Sequence, residues 1–540
     1  MHSKDTPQGP ADRVQFQFNQ YEVVSKIPRI DVSGRTENDR MTAAYAVTVH
    51  DARMNTGAET IRLPEAVLRG TADFFSGGQA FSSGQLELQA PGITMTSAAG
   101  KIAIQDVSLT GSITKSTRSP GEFNGLLRFG GGRLAPADID GQINSVSGAI
   151  PLMWPPAEPQ KEGRISIASI NYRHLSLGRA QCQIRQTATG FDFTGRLSSD
   201  QLSHTSLKFE GRSRIFDTKR PAVRVQFNLS RPAGAPGIKL SAFYPEAKGI
   251  TIKGKFLVDG NLVLEEDKFL GSIQSQLING KVTMPENRLA IEGVQMSLSM
   301  PVLPEARSAP GQQLTFAKLS FGDLTAENGM IDFQIESLQS LLMEKIHFNW
   351  SGGNVDTQAL RLSRGLDDYQ VILYCDRLNL ARVLEQFGAA AAEGNGTVSG
   401  RIPIRYAGGR LSFNDGFLFS TPGAGGKIRL TGTEILTAGI APDTPQFTQM
   451  ELAREALKDY DYSWAKLNLT SEGEILLLQM QMDGKPARTL PFVYSKEVGG
   501  FVRVDVESQG SRFQGIRLDV NFRLPLNKLL QYRDLIKKMQ

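Results

Sequence analysis

The sequence predicts a mainly β protein whose antiparallel strands extend one long sheet. Three observations predict this class: apolar and polar residues alternate along many segments, glycine-rich turn signals separate those segments, and two short patterns recur. Successive side chains of a strand point to opposite faces, so alternation with a period of two indicates one apolar and one polar face. A chain of 540 residues is too long for one compact core unless it is built from repeats or domains.

The alternation is clearest in residues 164–178, 288–300 and 314–337. In each segment it slips by one residue between pairs of apolar positions. The apolar positions of these segments that we select as candidates for one continuous apolar face are Ile165, Ile167, Leu289, Ile291, Met296, Leu298, Leu314, Phe316, Ile331, Phe333 and Ile335. Turn signals at residues 259–261, 279–280 and 327–329 predict hairpin connections between strands.

Two patterns are repeated. Val-Ser-Gly-x-Ile-Pro begins at Val146 and again at Val398, and each Pro predicts a sheet edge or a strand break, because Pro has no N–H to donate. An aromatic residue followed by x-Gly-Gly-x-apolar occurs four times, starting at Phe75, Phe129, Trp350 and Tyr406. A Gly pair permits the positive φ angles of a tight hairpin, so this pattern predicts a repeated hairpin unit.

Three short helices are expected near the C-terminus, at residues 379–392, 446–460 and 527–540. The second has an apolar stripe that we expect to face a core, formed by Phe447, Met450, Ala453, Leu457 and Tyr460. The third has Asn527 as its expected cap. No apolar run is long enough to span a membrane, and the first residues lack the apolar region of a signal peptide.

The residues give little indication of catalysis or of nucleic-acid binding. The net charge of +5 arises without a basic stripe, so we expect no nucleic-acid partner. The five histidines lack the spacing of a zinc site, so we expect no metal and no cofactor. Cys182 and Cys375 are expected as unlinked thiols, although a pair in an oxidising compartment stays possible. We predict that the protein is not an enzyme and has no catalytic residues.

A long apolar face must be covered by something. A facing sheet, the interior of a coil, or a bound apolar ligand would each cover the face, and the sequence does not distinguish these three alternatives.

Residues 394–430 and 451–488 resemble the C-terminal region of YdbH-type proteins, a region sometimes labelled a dicarboxylate-transport domain. Upstream segments back to about residue 146 are similar to the same family. The residues that match the family's motifs, and that we expect to be structural, are Gly400, Pro403, Gly408, Gly409, Gly416, Gly423, Gly425, Gly426, Tyr460 and Tyr462.

YdbH-type proteins resemble the AsmA and TamB group of bridge-like lipid transporters. The resemblance implies a twisted antiparallel sheet folded into an open, taco-like hydrophobic groove. It also implies non-enzymatic transport of phospholipids between the inner and outer membranes of a diderm bacterium. The expected location is the periplasm, with an inner-membrane anchor that this chain lacks. An outer-membrane lipoprotein is an expected partner, bound by strand addition to an exposed terminal edge.

The resemblance implies three regions: a flexible segment at residues 1–14, an elongated repetitive β-groove region at 15–345, and a C-terminal region at 346–540. The last is expected to continue the groove and to carry the amphipathic helices. Two other classes stay open at this stage. One is a self-packed β-solenoid or sandwich that serves as a scaffold or adhesin of the cell envelope. The other is a carbohydrate-active enzyme on a β-solenoid, which would need acidic side chains clustered beside a cleft.

Overall fold

The structure is a computed structural model. It describes residues 13–526 except for 19–20, 38–39, 56–58, 76–80, 99, 117–118, 138–139, 157–160, 173–174, 217–220, 243–246, 266–267, 304, 306, 338, 364–367, 408–409, 422, 432–436, 438–439, 443 and 505–510. Most of the predicted flexible segment, the predicted helix at 527–540 with Asn527, and the motif residues Gly408 and Gly409 therefore lie outside the described residues.

Strands contain 76% of the described residues, which confirms the predicted mainly β class. Of the 34 strands described, 32 belong to one long antiparallel sheet that does not close into a barrel, and two form a separate hairpin.

The strands of the first half are β1 (Arg13–Phe18), β2 (Tyr21–Lys26), β3 (Arg29–Glu37), β4 (Arg40–Asn55), β5 (Glu59–Phe74), β6 (Phe81–Ser97), β7 (Gly100–Ser116), β8 (Ser119–Pro136), β9 (Gly141–Trp154), β10 (Glu162–Tyr172), β11 (Leu175–Gln186), β12 (Phe191–Ser198), β13 (Ser206–Ser213), β14 (Ala222–Arg231), β15 (Ile238–Lys239), β16 (Thr251–Glu265) and β17 (Lys268–Met284).

The strands of the second half are β18 (Leu289–Leu303), β19 (Gln312–Phe321), β20 (Leu324–Ser337), β21 (Ser340–Trp350), β22 (Gly353–Thr357), β23 (Leu360–Ser363), β24 (Asp368–Asn379), β25 (Ala391–Gly394), β26 (Thr397–Ala407), β27 (Arg410–Phe413), β28 (Gly416–Ser420), β29 (Gly426–Thr431), β30 (Tyr460–Glu472), β31 (Ile475–Pro486), β32 (Phe492–Ser495), β33 (Gly500–Arg503) and β34 (Ile516–Pro525). The two α-helices of the described residues are α1 (Leu380–Gln386) and α2 (Pro445–Leu457).

The chain forms two units. Unit 1 contains Met1–Pro232 and Leu257–Ile273, and unit 2 contains Ala233–Phe256 and Gln274–Gln540. In unit 1, each strand from β4 to β14 pairs antiparallel with the next, which is the meander that the alternation predicts. In unit 2, β18 to β21 continue as a meander, and the later strands pair in the order β21, β22, β24, β26, β28, β30, β31 and β34.

The three predicted hairpin turns are wrong. Residues 259–261, 279–280 and 327–329 lie inside the long strands β16, β17 and β20. Asn279 and Asn328 have φ angles of 50° and 52°, and the pairing of β20 with β21 shifts register just after Glu327. A residue with positive φ can bend a strand at a β-bulge without ending it, and the register shift after Glu327 is such an irregularity. The residue types that favour turns therefore also occur inside strands.

The Gly-Gly pattern has more than one structural role. Ser351 and Gly352 form the tight turn between β21 and β22, with Trp350 paired to Gly353, as predicted. The copy that starts at Phe129 instead lies inside β8, where the register shifts between Phe129 and Gly132. The Gly pairs of the other two copies lie outside the described residues.

Both repeated prolines lie where strand pairing changes. Pro151 in β9 pairs with Leu126 of β8, and beyond it the side chain of Gln186 makes two hydrogen bonds to the backbone of Met153. Pro403 in β26 lies between the residues that pair with β27 and those that pair with β28. A proline cannot donate to a ladder, and these positions satisfy that constraint.

Unit 2 contains a closed hydrophobic core between its sheet and the two helices. Helix α1 starts at its cap Asn379, whose side chain accepts a hydrogen bond from the Arg382 N–H. The apolar side chains of this core that are fully buried, at 0% exposure, are Val355, Leu378, Val383, Leu384, Val398, Leu418, Leu430, Ala456, Leu457, Tyr460, Ala465, Leu467, Leu469, Leu476, Leu478, Met480, Met482, Leu490, Phe492 and Val520. Tyr460, which we predicted at the end of the second helix, belongs to β30.

Helix α2 also buries two carboxylates, which the predicted apolar stripe did not include. Glu455 is paired with Lys458 and with Arg488, whose Nη2 lies 2.7 Å from Glu455 Oε2. Glu451 is paired with Arg454 and Arg503. Burial raises the pKa of Glu455, but the hydrogen bond from Lys458 and the neighbouring positive charges outweigh it and lower this pKa below its usual value.

Glu455→Gln is expected to remove a pH-dependent part of the stability. A carboxylate whose pKa is lowered in the folded state stabilises the fold above its unfolded pKa and loses that effect as the pH falls through the folded value. We expect the variant to be less stable than wild type by about 1–3 kcal/mol at pH 7, and the difference to shrink below pH 4.5, the usual Glu value. Urea unfolding of the variant and of wild type at pH 7 and at pH 3 measures the difference in the free energy of unfolding. A stability difference at pH 3 as large as that at pH 7 would show that the ionised Glu455 carboxylate does not stabilise the fold.

Candidate functional site

Unit 1 presents an apolar face across strands β9 to β14. Residues directly opposite each other in a ladder point to the same face, so the strand pairs define rows of side chains. Two rows that contain the predicted Ile165 and Ile167 run Gly148, Ile165, Cys182, Gly195, Phe209 and Phe227, and Val146, Ile167, Ala180, Leu197, Leu207 and Leu229. The opposite face of the same strands carries Arg, Gln, Glu and Asp residues.

The large side chains of these rows are half-buried rather than buried. Among the described residues of unit 1, the buried apolar side chains are mostly alanines, together with Val107, Ile150 and Ile184, and none of these side chains is completely buried. The core of unit 2 is different, because many of its leucines and methionines have no exposed surface. Unit 1 therefore keeps much of its apolar face accessible.

Aromatic rings of this face lie over glycines of the neighbouring strand. A Cβ atom at Gly195 would lie 2.2 Å from Phe209 Cζ, and one at Gly211 would lie 2.4 Å from Phe193 Cζ. Phe227 covers Gly260 in the same way. Each ring occupies the space that a side chain would need, so the ring covers the backbone of the neighbouring strand.

Unit 2 has a second apolar face, on β18 to β21, that contains the other nine candidates. Ile291, Met296, Leu314 and Ile331 pack against a small buried cluster of Leu277, Val294 and Phe316. The candidates Met296, Leu314 and Ile331 are consecutive members of one cross-strand row. The structure thus brings these predicted residues together on one face.

The remaining candidates of unit 2 lie outside that cluster. Leu289 pairs with Phe321, and Ile335 pairs with Leu341. Phe333 is buried, and Leu298 is half-buried on β18.

The aromatic members of the unit 1 face, Phe193, Phe209 and Phe227, are not among the residues predicted from the sequence. The signal was present, because residues 191–197, 206–212 and 222–229 alternate as regularly as the segments that were selected.

Cys182 is the cysteine of the unit 1 face, and Cys375 lies in the core of unit 2. Burial raises the pKa of the Cys182 thiol to about 11 and that of Cys375 to about 12, so both are protonated at neutral pH. The structure describes Cys182 and Cys375 as free thiols. No group of three potential metal ligands occurs among the described residues. In the part of the chain that the structure describes, no helix has the length and apolarity to cross a membrane.

Several motif residues surround Tyr462, which is 3% exposed. A Cβ atom at Gly396 would lie 1.5 Å from Tyr462 Oη, and one at Gly426 would lie 2.5 Å from it. Gly425 approaches the Tyr462 carbonyl, where a Cβ atom would lie 2.4 Å from the oxygen. The neighbouring Tyr460 donates its hydroxyl hydrogen bond to the Ile516 carbonyl. These glycines allow β29 and the residues before β26 to approach a buried tyrosine.

The geometry therefore consists of accessible apolar faces without a catalytic constellation among the described residues. No curated protein matches the sequence. The model of the family described as "YdbH-like: Intermembrane phospholipid transport protein YdbH" matches residues 6–486. That match covers most of the 540 residues, and the chain belongs to the YdbH-like family of intermembrane phospholipid transport proteins.

Proposed function

We propose that this chain carries phospholipids by holding their acyl chains against its apolar faces, without catalysis. The observation that supports this most directly is the half-buried state of the Phe and Leu rows of unit 1, which contrasts with the closed core that unit 2 contains. Apolar surface that the protein leaves accessible is available to an apolar ligand.

The free energy for holding an acyl chain comes from removing it from water. Each buried CH₂ contributes about 0.8 kcal/mol. The headgroup stays in water at the open side of the apolar face, because desolvating its charges would cost free energy. The opposite face of the same strands is polar and carries exposed ion pairs such as Arg212–Asp192 and Arg185–Glu162, so only one face is available to acyl chains. Because no bond is made or broken, the groove that we propose needs apolar residues but no reactive groups.

The proposed setting is the periplasm of a diderm bacterium, with lipid moving between the inner and outer membranes and an anchor holding the chain at the inner membrane. The description of the family as intermembrane phospholipid transport proteins supports the movement of lipid between two membranes. An outer-membrane lipoprotein is the proposed partner. The last described strand, β34, pairs with β31 on one side. A strand edge of this kind can accept an added strand.

Ile165→Asp combined with Ile167→Asp is expected to remove most of the bound phospholipid from unit 1. Two carboxylates on an apolar face would have to be desolvated by an acyl chain, at a cost of several kcal/mol. The measurement is the number of phospholipids per chain, by native mass spectrometry and lipid extraction, after purification from a diderm bacterium in mild detergent. Circular dichroism checks that the variant keeps its strands.

The matched control is Gln181→Asp combined with Gln183→Asp. These residues lie on the neighbouring strand β11, on the opposite and exposed face, where Gln181 faces Arg196 and Gln183 faces Arg164. The control adds the same charge and should keep its lipid. A wild-type chain that is folded and carries no phospholipid would refute the proposal. It would favour the second candidate, a self-packed envelope scaffold, which the closed core of unit 2 supports.

A further inference from the structure

Strand β3 forms a free edge of the sheet in unit 1. Its nine residues, Arg29–Glu37, all pair with β4 without a register shift. None of the described strands pairs with the other side of β3, and β1 follows β2 only as far as Lys26. An edge strand presents a row of unpaired backbone N–H and C=O groups, which is a template for a strand of another molecule.

The devices that usually protect such an edge are missing from residues 29–37. Those devices are a proline, a bulge, or a charge that points into the apolar face, and this strand contains none of them. Ile30 and Val32 lie opposite Val47 and Tyr45 on the apolar side of the strand, and they are 61% and 68% exposed. The apolar side of β3 is therefore as uncovered as its backbone edge.

The polar side of β3 carries charges of alternating sign. These are Arg29, Asp31, Arg35 and Glu37, with Ser33 at the centre. Within one chain, Arg29 pairs with Asp31 and Arg35 pairs with Glu37, and all four side chains stay at least 61% exposed. Exposed pairs of this kind contribute little stability. The pattern is antisymmetric about Ser33, because each charge has one of opposite sign at the same distance on the other side of Ser33.

This antisymmetry matches a second copy of the same strand. When two copies of β3 run antiparallel about a two-fold axis at Ser33, Arg29 lies opposite Glu37 of the second copy. Asp31 then lies opposite Arg35 of the second copy, and the axis repeats each contact. Opposite charges directly across a ladder stabilise the pairing, and like charges destabilise it. Residues directly opposite share a face, so the apolar sides of the two copies coincide.

Other registers of the same pairing are disfavoured. Shifting the axis by one residue toward the start of β3 places Arg29 opposite Arg35. Shifting it by one residue toward the end places Asp31 opposite Glu37. A shift of two residues places either Asp31 or Arg35 opposite its own copy. Of these registers, only the one centred on Ser33 places no like charges opposite each other, so the charges specify it.

We propose that β3 pairs with β3 of a second copy of this chain, antiparallel and centred on Ser33, in a two-fold symmetric dimer. Such an interface is closed, because each copy uses the same strand and no free edge of β3 remains. The pairing places Val32 opposite Gly34 of the second copy and so joins the apolar sides of the two strands. The dimer does not depend on lipid binding, so a folded dimer without phospholipid would leave it standing.

The first test is sedimentation equilibrium of the full chain over a range of protein concentrations, and we expect wild type to dimerise. Val32→Lys places a charge on the apolar side of the interface in each copy. We expect it to raise the dimer dissociation constant about tenfold or more. Val498→Lys is the matched control, because Val498 is 67% exposed and lies in unit 2, and it should dimerise as wild type does.

A charge swap tests the register. Asp31→Arg places an arginine opposite Arg35 of the second copy, and we expect it to raise the dissociation constant about tenfold or more. Asp31→Arg combined with Arg35→Asp restores opposite charges across the axis, and we expect most of the lost affinity to return. A role of these residues inside one chain predicts no recovery, because the swap leaves Arg29 beside a second arginine on its own strand.

Disulfide trapping measures the register independently. Ser33→Cys places two thiols directly opposite each other, with Cα atoms about 4.5–5.5 Å apart, which is within the range of a disulfide. We expect a covalent dimer when copper phenanthroline is the oxidant. Asp31→Cys is the matched control, because its two thiols would lie about 13 Å apart along the ladder and should not crosslink. Wild type, with Cys182 and Cys375 as free thiols, gives the background.

Four results would overturn the proposal. They are a wild-type chain that stays monomeric, a dimer that neither Val32→Lys nor Asp31→Arg weakens, a charge swap that restores no affinity, and crosslinking of Asp31→Cys that equals or exceeds that of Ser33→Cys. Wild-type species larger than a dimer would also overturn it, because they indicate contact between two different edges. Circular dichroism and thermal unfolding confirm that each variant is folded, which we expect because all of the substituted positions are exposed.

Discussion

Leu478→Ala is expected to lower the free energy of unfolding of unit 2 by about 2–5 kcal/mol, the usual range for a buried leucine in a rigid core. Leu478 has no exposed surface and lies in β31, between Leu469 of β30 and Phe522 of β34. Its neighbours belong to a sheet and cannot collapse into the cavity that the substitution would leave. Urea unfolding followed by tryptophan fluorescence measures it, since Trp350 and Trp464 both lie in unit 2.

The matched control is Leu477→Ala, one residue earlier on the same strand. Leu477 points to the opposite face, where it lines an open surface cavity of unit 2 and is half-buried. Its truncation removes the same atoms but creates no enclosed void, so we expect a loss of less than about 1.5 kcal/mol. Equal losses for the two variants would mean that the core of unit 2 is not closed.

Gly396→Ala is expected to destabilise unit 2 by more than about 3 kcal/mol, or to prevent its folding. The added Cβ atom would lie 1.5 Å from Tyr462 Oη and 2.5 Å from Tyr462 Cζ. Tyr462 is enclosed by the core and by Gly426, so its ring has no free direction in which to move. The measurement is the urea midpoint of unit 2, with yield of folded chain as the second readout.

A double-mutant cycle with Tyr462→Phe tests the cause. The Tyr462 hydroxyl is buried and has no hydrogen-bond partner among the described residues, so its removal alone should be neutral or stabilising. Removing it also relieves the shortest contact of the alanine variant, and we expect the double variant to regain about 1–3 kcal/mol. Additive effects of the two substitutions would show that the glycine is needed for another reason.

The class of fold could be predicted from the sequence, because alternation reports directly which residues share a face. The phase slips were informative as well. The slip between Ile167 and Ile170 coincides with a register shift in the pairing of β10 with β11. Helices α1 and α2 were also predictable in place, but both predicted helices were too long. Helix α1 ends at Gln386, whereas the predicted helix continued to residue 392, inside β25, and α2 ends at Leu457, whereas the predicted helix continued to Tyr460.

The positions of the turns could not be predicted, because the residue types that form turns also occur inside strands. Asn-Gly at residues 279–280 and 328–329 favours a positive φ angle, and the chain meets that requirement within a strand as well as at a turn. The placement of Glu451 and Glu455 inside the unit 2 packing depends on Arg488 and Arg503, which are distant in sequence. The surface cavity that Leu477 lines likewise joins four strands that no local pattern connects.

The aromatic rings that lie over glycines have a consequence for motion along the sheet. The affinity of an apolar chain for a surface depends on the area that it covers. The lateral mobility of the bound apolar chain depends on how even the surface is, because each protruding side chain is an energy barrier to its movement. Phe193, Phe209 and Phe227 add apolar area while lying in the space that Gly211, Gly195 and Gly260 leave free. Such a surface has a large apolar area and few protrusions. A bound apolar chain can therefore be held tightly and still move along the surface over low free-energy barriers.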